Sequence, residues 1–284
     1  MRQKSLFFIL LFTCFFIHSV FSQHVNFKPQ DKTIFEEYVR QIQPLSTKSK
    51  ELVLQKTAEF FLDTPYTAGT LDNNACEMLV INLREFDCVT FIETVMALAN
   101  TAVSEDFSFD NFASQLQKIR YRNGALNGYE SRLHYTSDWV YNNEEKKILS
   151  PITKRLGGVL EAKTIDFMSS HRAAYNALKT DDEMLKEIKI IENEINNRKG
   201  FYYLPKSEIE SQAAQIPHMA MIAFTTSIKG LDTTHTGFAY KKNGKLTFIH
   251  ASSAKNKVII DEKTLSDYGN SQKSCTGIMV APVR

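Results

Sequence analysis

The chain has 284 residues, 43% apolar, 11% aromatic and 23% charged, with a formal net charge of +2. These are the fractions of a globular protein and exclude a disordered, collagen-like or low-complexity chain. The surplus charge is Arg2 and Lys4. The remainder balances 32 basic against 32 acidic groups, which leaves no electrostatic footprint for nucleic acid or an anionic membrane.

Residues 1–22 read as a secretory signal peptide, with a short basic start, an apolar run from Ser5 to Ile17 and small residues before Gln23. The run falls short of the roughly 20 residues that a membrane span needs. Leu11–Cys14 has the outline of a lipoprotein cleavage site, but Thr13 fits it poorly and the apolar run continues past it. The expectation is an exported protein with no membrane association once the signal is removed. Cys14 leaves with the signal, and Cys76, Cys88 and Cys275 remain. Three is odd, so at least one thiol stays free in a compartment that favours disulfides.

Helical apolar spacing predicts helices over 31–44 and 46–62, the second capped by Ser46 and ending before Thr64-Pro65. Met78–Leu83 reads as a short strand. Cys88–Asn100 reads as a predominantly apolar helix with Asp87 placed to cap it. Asp110–Tyr121 is amphipathic. Residues 122–215 mix turns, an aromatic-polar stretch around Tyr129–Tyr141 and a helix over 181–197 whose inner side is Met184, Ile188, Ile191 and Ile195. From His218 the pattern changes to four or five short strands joined by hairpin turns. Helices first and antiparallel sheet last predict an α+β fold. One domain over residues 23–284 is expected, with a largely helical insertion at about 122–215 that shapes the substrate site.

Cys88 opens its helix, where the positive end of the helix dipole is expected to lower the thiol pKa. Asn243-Gly244 is the strongest hairpin signal in the chain. With that turn, Lys242 faces Lys245 and Gly237 faces His250, so His235 and His250 become diagonal neighbours on one face. A register slip of one residue would separate them. A helix-start thiol with two histidines suits a nucleophile, a general base and a group that orients the base. His235 is taken as the base and His250 as its partner, with the reverse assignment open. Tyr66 is expected either to offer its hydroxyl to an oxyanion or to pack half-buried. Zinc held by Cys88, His235 and His250 is disfavoured, because no close-spaced ligand pair accompanies them. No metal or cofactor is expected.

Three blocks resemble the NlpC-type cysteine peptidases that cut bacterial cell-wall peptides: Pro65–Gly69, Phe86-Asp87-Cys88, and His235–Tyr240 with Phe248–Ser252. The resemblance implies a papain-like core with Cys88 as nucleophile, His235 as base, His250 as third member and Tyr66 as the active-site tyrosine. Val89 departs from the Ser that usually follows the nucleophile, where Asp87 and that Ser help read a substrate amine. Leu79–Leu83, Asp87–Phe91 and especially Ser131–Trp139 are closer to a side branch described as N-acetylmuramoyl-L-alanine amidase-like, and the likeness spans about residues 50–283. That branch implies hydrolysis of the amide between N-acetylmuramic acid and L-alanine in small anhydro-muropeptides; the compartment expected for the exported chain is the periplasm of a Gram-negative bacterium. The rival readings are a γ-D-glutamyl-diamino acid endopeptidase and a catalytically silent muropeptide-binding protein.

From Cys88 to His235 is 147 residues, far more than a helix and a hairpin need for connection. Aromatic rings stack on sugars while Arg and Asp bond their hydroxyls. Arg132, His134, Tyr135, Asp138 and Trp139 are therefore expected, with Asp87, to bind substrate. The alternative is that the block packs a structural insertion. The expected partner is a disaccharide-peptide fragment of peptidoglycan, bound by a monomer.

Overall fold

The computed structural model describes residues 25–284 apart from Asn73 and Ala75, so the signal peptide expected at residues 1–22 lies outside the described residues. In chain order the elements are β1 (Val25–Asn26), α1 (Pro29–Ile42), α2 (Lys50–Phe60), β2 (Leu79–Val80), α3 (Cys88–Val103), α4 (Phe109–Arg120), α5 (Thr136–Glu145), β3 (Val159–Glu161), α6 (Phe167–Ser170), α7 (Asp182–Asn197), β4 (Phe201–Pro205), α8 (Ile209–Gln212), β5 (Met221–Thr226), β6 (Thr233–Lys242), β7 (Lys245–Ser252), β8 (Lys257–Ile260), α9 (Leu265–Ser271) and β9 (Cys275–Ala281).

The helices follow the sequence reading with small shifts at their starts. Ser49, not Ser46, caps α2, because Gln43–Leu45 forms a turn of 3-10 helix that delays the start. The expected strand over Met78–Leu83 shrinks to two residues, paired in parallel with β1. No helix among the described residues is long and apolar enough to cross a membrane.

The main sheet runs in the order β3-β4-β9-β5-β6-β7-β8, and its ladders are antiparallel. The insertion is less helical than expected, since it supplies β3 and β4, the edge of this sheet. Alternation along the strands builds two cores. Met221, Ala223, Phe238 and Ile249 face α3, whereas Ile222, Phe224, Ala239 and Phe248 pack with residues of α8 and α9 on the other side.

α3 is apolar on every side because it is enclosed by α2, α4 and the sheet. A row of edge-to-face rings, Phe61 to Phe86 to Phe91 to Phe238, runs across its first turn with centroid spacings of 5.0, 5.9 and 6.2 Å. This row seats Cys88 against β6. Inside the same core, Glu93 of α3 accepts from Arg120 of α4 at 2.7 Å, and both side chains are 2% exposed. Arg120 also donates to the Val80 carbonyl at 2.7 Å, and Trp139 Nε1 donates to Glu93 at 3.2 Å.

Candidate active site

Asp87 caps α3 as its sequence position implied. Its carboxylate accepts from the Val89 and Thr90 amides at 3.0 and 2.8 Å, and the Thr90 hydroxyl accepts from the Asp87 amide at 3.0 Å. The capping carboxylate has a second consequence, for the thiol beside it. Burial, followed by the charge of Asp87, pushes the Cys88 thiol up to about 12. Desolvation and the carboxylate at the helix start thus both oppose the depression expected from the dipole.

The hairpin register is the one Asn243-Gly244 implied. Both turn residues have positive φ (52° and 75°), and Lys242 faces Lys245 while Phe238 faces Ile249. His235 and His250 meet through Nε2 and Nδ1 at 2.6 Å. The fit leaves no spare room at Gly237, where an added Cβ would lie 2.8 Å from the Ile249 carbonyl oxygen and 3.0 Å from His250 Cβ. Gly237→Ala is expected to pry β7 from β6 at the imidazole pair. Overpacking of this kind costs about 1–3 kcal/mol, read as a lowered midpoint in urea unfolding.

A β-bulge sits at the start of β6. Phe224 faces His235 but Thr225 faces Thr233, so Thr234 is skipped. Such irregularities re-aim side chains at strand ends, and this one aims His235 among Phe224, Phe248 and Tyr268, with centroids 6.1, 6.2 and 5.9 Å away. His250 stacks on Phe248 at 4.0 Å. Burial lowers His235 to about 3 and also lowers His250, the latter opposed by Asp261, whose Oδ2 lies 3.2 Å from His250 Nε2.

Thr236, the next residue of β6, points to the α3 side, and its hydroxyl donates to the Cys88 carbonyl at 2.8 Å. The hydroxyl and amide of Thr236 also favour the thiolate, less strongly than burial opposes it. Among the described residues no hydrogen bond joins the Cys88 thiol to either imidazole, and the burial that raises the thiol and lowers His235 opposes a thiolate–imidazolium pair. Iodoacetamide is therefore expected to label Cys88 slowly at pH 7, with a rate that climbs through pH 10. A plateau below pH 8 in a Cys76→Ser background, which removes the exposed thiol, would instead reveal a preformed ion pair.

Tyr66 is half-buried on the strand-like segment beside Phe86. Its hydroxyl is pushed up by burial and then by the charges of Cys88 and Asp87. Tyr268 of α9, absent from the sequence reading, is raised to about 12 by burial, then by Asp261 and Cys88.

The other residues expected to bind substrate are placed elsewhere. Asp138 is fully buried between Arg122 and Arg198, at 2.7 and 2.6 Å. Tyr135 donates to Glu192 at 2.7 Å, and Trp139 is 2% exposed with its indole N–H held by Glu93. These rings and charges tie the insertion to α3 and α7, and offer no open face to a sugar. His134 is bound to the Tyr129 carbonyl at 2.8 Å and lowered to about 3 by burial. Arg132 lies over the Tyr129 ring and donates to Asp72 at 2.6 Å. It backs a cavity of about 490 Å³ lined in part by Asp72, Glu77, Tyr129 and Tyr175. Arg132 reaches that cavity through its partners Asp72 and Tyr129, which line it. Cys76, Cys88 and Cys275 are free, with Cys76 exposed and Cys275 buried.

A helix-start thiol and an imidazole pair, linked through the bond from Thr236 to the Cys88 carbonyl, form a residue set suited to attack on an amide carbonyl. Comparison with known proteins places the chain within that class. It belongs to the AmiA-like family, described as N-acetylmuramoyl-L-alanine amidase-like, whose model matches residues 56–278. The crystal structure of an N-acetylmuramoyl-L-alanine amidase from Bacteroides uniformis is similar, at 36% identity and a TM-score of 0.76, covering 81% of this chain and 98% of that one. A Bacteroides fragilis protein provisionally named a xylanase is similar to the same degree, at 36% identity and a TM-score of 0.74, covering 80% and 99%. A Legionella pneumophila protein, 24% identical with a TM-score of 0.66 over 89% and 94% of the two chains, shares the fold. No curated protein matches.

Proposed function

We propose that the chain is an exported cysteine amidase with a papain-like catalytic arrangement. It hydrolyses the amide between N-acetylmuramic acid and L-alanine in soluble peptidoglycan fragments, of which anhydro-muropeptides are the preferred class. The observation that carries the reading is the linked pair His235–His250, whose strand is bonded through Thr236 to the residue that bears the helix-start thiol. Membership of the amidase-like family supports the bond assigned.

In this reading His235 removes the Cys88 proton as the sulfur attacks the lactyl carbonyl, because burial opposes charge on both groups beforehand. Catalytic hydrogen bonds are often open in a free enzyme and tighten with substrate bound, and here the thiol must turn from Thr236 toward His235. The tetrahedral oxyanion sits by the Cys88 amide at the helix start, with the Tyr66 hydroxyl on its other side. His235 then passes its proton to the alanine nitrogen, which leaves as an amine. Water, deprotonated by the same imidazole, hydrolyses the thioester and restores the thiol.

Labelling of newly freed amines tests the bond. A muramoyl-tripeptide ending in a diamino acid is expected to yield a new α-amine on L-alanine. A new amine on the diamino acid would replace this reading with the endopeptidase, and no new amine would favour a binding protein.

A further inference from the structure

We infer that Asp261 is a positioning residue that fixes which nitrogen of His235 acts as the base. The inference deepens the amidase reading and rests on it for its kinetic part alone.

Asp261 follows β8, and its register places it on the His250 face. His250 faces Ile259, and Asp261 is two residues further along the chain. Three bonds besides the one to His250 hold it in place. Its amide donates to the Phe248 carbonyl at 2.9 Å, its own carbonyl accepts from the Thr247 hydroxyl at 2.7 Å, and its Oδ1 accepts from the Lys263 amide at 2.8 Å. Oδ2 is left for His250 Nε2, at 3.2 Å.

A carboxylate only accepts, so His250 carries its proton on Nε2 and presents a lone pair at Nδ1. That lone pair must be met by a proton on His235 Nε2, 2.6 Å away. A neutral His235 protonated at Nε2 has its free lone pair at Nδ1, the nitrogen that takes the thiol proton. The carboxylate thus orders two imidazoles in series without touching substrate. When His235 becomes charged during attack, the same carboxylate stabilises that charge through His250.

The groups facing this chain are Tyr268 from α9, Cys88 from α3 and Lys263 beyond β8. Tyr268 is raised to about 12 and stays neutral across the working range. It does not mimic a loss of the Asp261 charge.

Asp261→Asn separates this role from a structural one. An amide oxygen still accepts from the Lys263 amide, so the turn is kept. Its NH₂ then faces His250 Nε2 and calls for a lone pair there, which reverses both tautomers and blocks His235 Nδ1 with a proton. Nitrogen-15 NMR of the free histidine-labelled protein is expected to show His235 protonated at Nε2 in the wild type and at Nδ1 in Asp261→Asn. The kcat of Asp261→Asn is expected to fall on the order of 10²-fold with KM nearly unchanged, the lower end of what positioned proton transfer supplies. Asp261→Glu is expected to restore the wild-type tautomers and part of kcat. A wild type protonated at His235 Nδ1, or an Asp261→Asn protein with wild-type tautomers and kcat, would overturn the inference. Wild-type protein with the expected tautomers but no muropeptide hydrolysis would support the tautomer order and overturn the amidase reading instead.

Discussion

Cys88→Ala is expected to abolish amide hydrolysis, by roughly 10⁴- to 10⁶-fold in kcat, the range seen when a member of a catalytic triad is removed. The melting temperature should change little, because α3 is held by the Asp87 cap and the Phe61–Phe86–Phe91–Phe238 row rather than by the thiol. His235→Ala is expected to approach the same loss, since the raised thiol pKa leaves almost no thiolate without a base to take the proton. Steady-state hydrolysis of a muramoyl-peptide checks both variants. Substantial turnover by folded Cys88→Ala would remove the thiol from the mechanism.

The largest effect on stability is expected at the ion pair of Glu93 and Arg120. Arg120→Met leaves a carboxylate buried without its cation, which costs about 3–5 kcal/mol. The Val80 carbonyl loses its donor as well. Replacing both members, Glu93→Gln with Arg120→Met, keeps an acceptor for the Trp139 indole and removes the stranded charge. This double variant is expected to be more stable than Arg120→Met alone in urea unfolding. If Arg120→Met unfolds at the wild-type midpoint, the pair does not hold α3 to α4.

How much of this was legible in the sequence depended on whether a local signal set the geometry. Asn243-Gly244 specifies a turn with two positive φ values, so the β6–β7 register and the His235–His250 pairing followed from two residues. The turn between β7 and β8, Ser253–Asn256, carries no comparable signal. Without that register Asp261 could not be set beside His250, although the same diagonal rule would have found it. Tyr268 arrives from α9 through packing alone. The cap at Asp87 was readable; its electrostatic cost to the thiol depends on how far Cys88 is withdrawn from water, which the fold sets.

The Ser131–Trp139 stretch divides: Tyr135, Asp138 and Trp139 are held inside the fold, whereas Arg132 backs a cavity. Aromatic, Arg and Asp residues in one stretch suit a sugar site, and they equally suit a buried ionic network. The deciding partners are distant in sequence: Glu93 for Trp139, Glu192 for Tyr135 and Arg198 for Asp138. Residue type alone does not separate the two uses. β3 and β4 were missed because a three-residue strand and a strand of mixed burial inside a polar stretch lack a period-two pattern.

In the proposed mechanism Cys88 takes the acyl group from muramic acid. Mass spectrometry of the purified protein, acid-quenched during turnover of a disaccharide anhydro-muropeptide, tests it directly. The predicted result is a disaccharide lactyl thioester on Cys88, with the intact stem peptide released. A thioester still carrying L-alanine and D-glutamate, or cleavage of the glycosidic bond with Cys88 unmodified, would contradict the account.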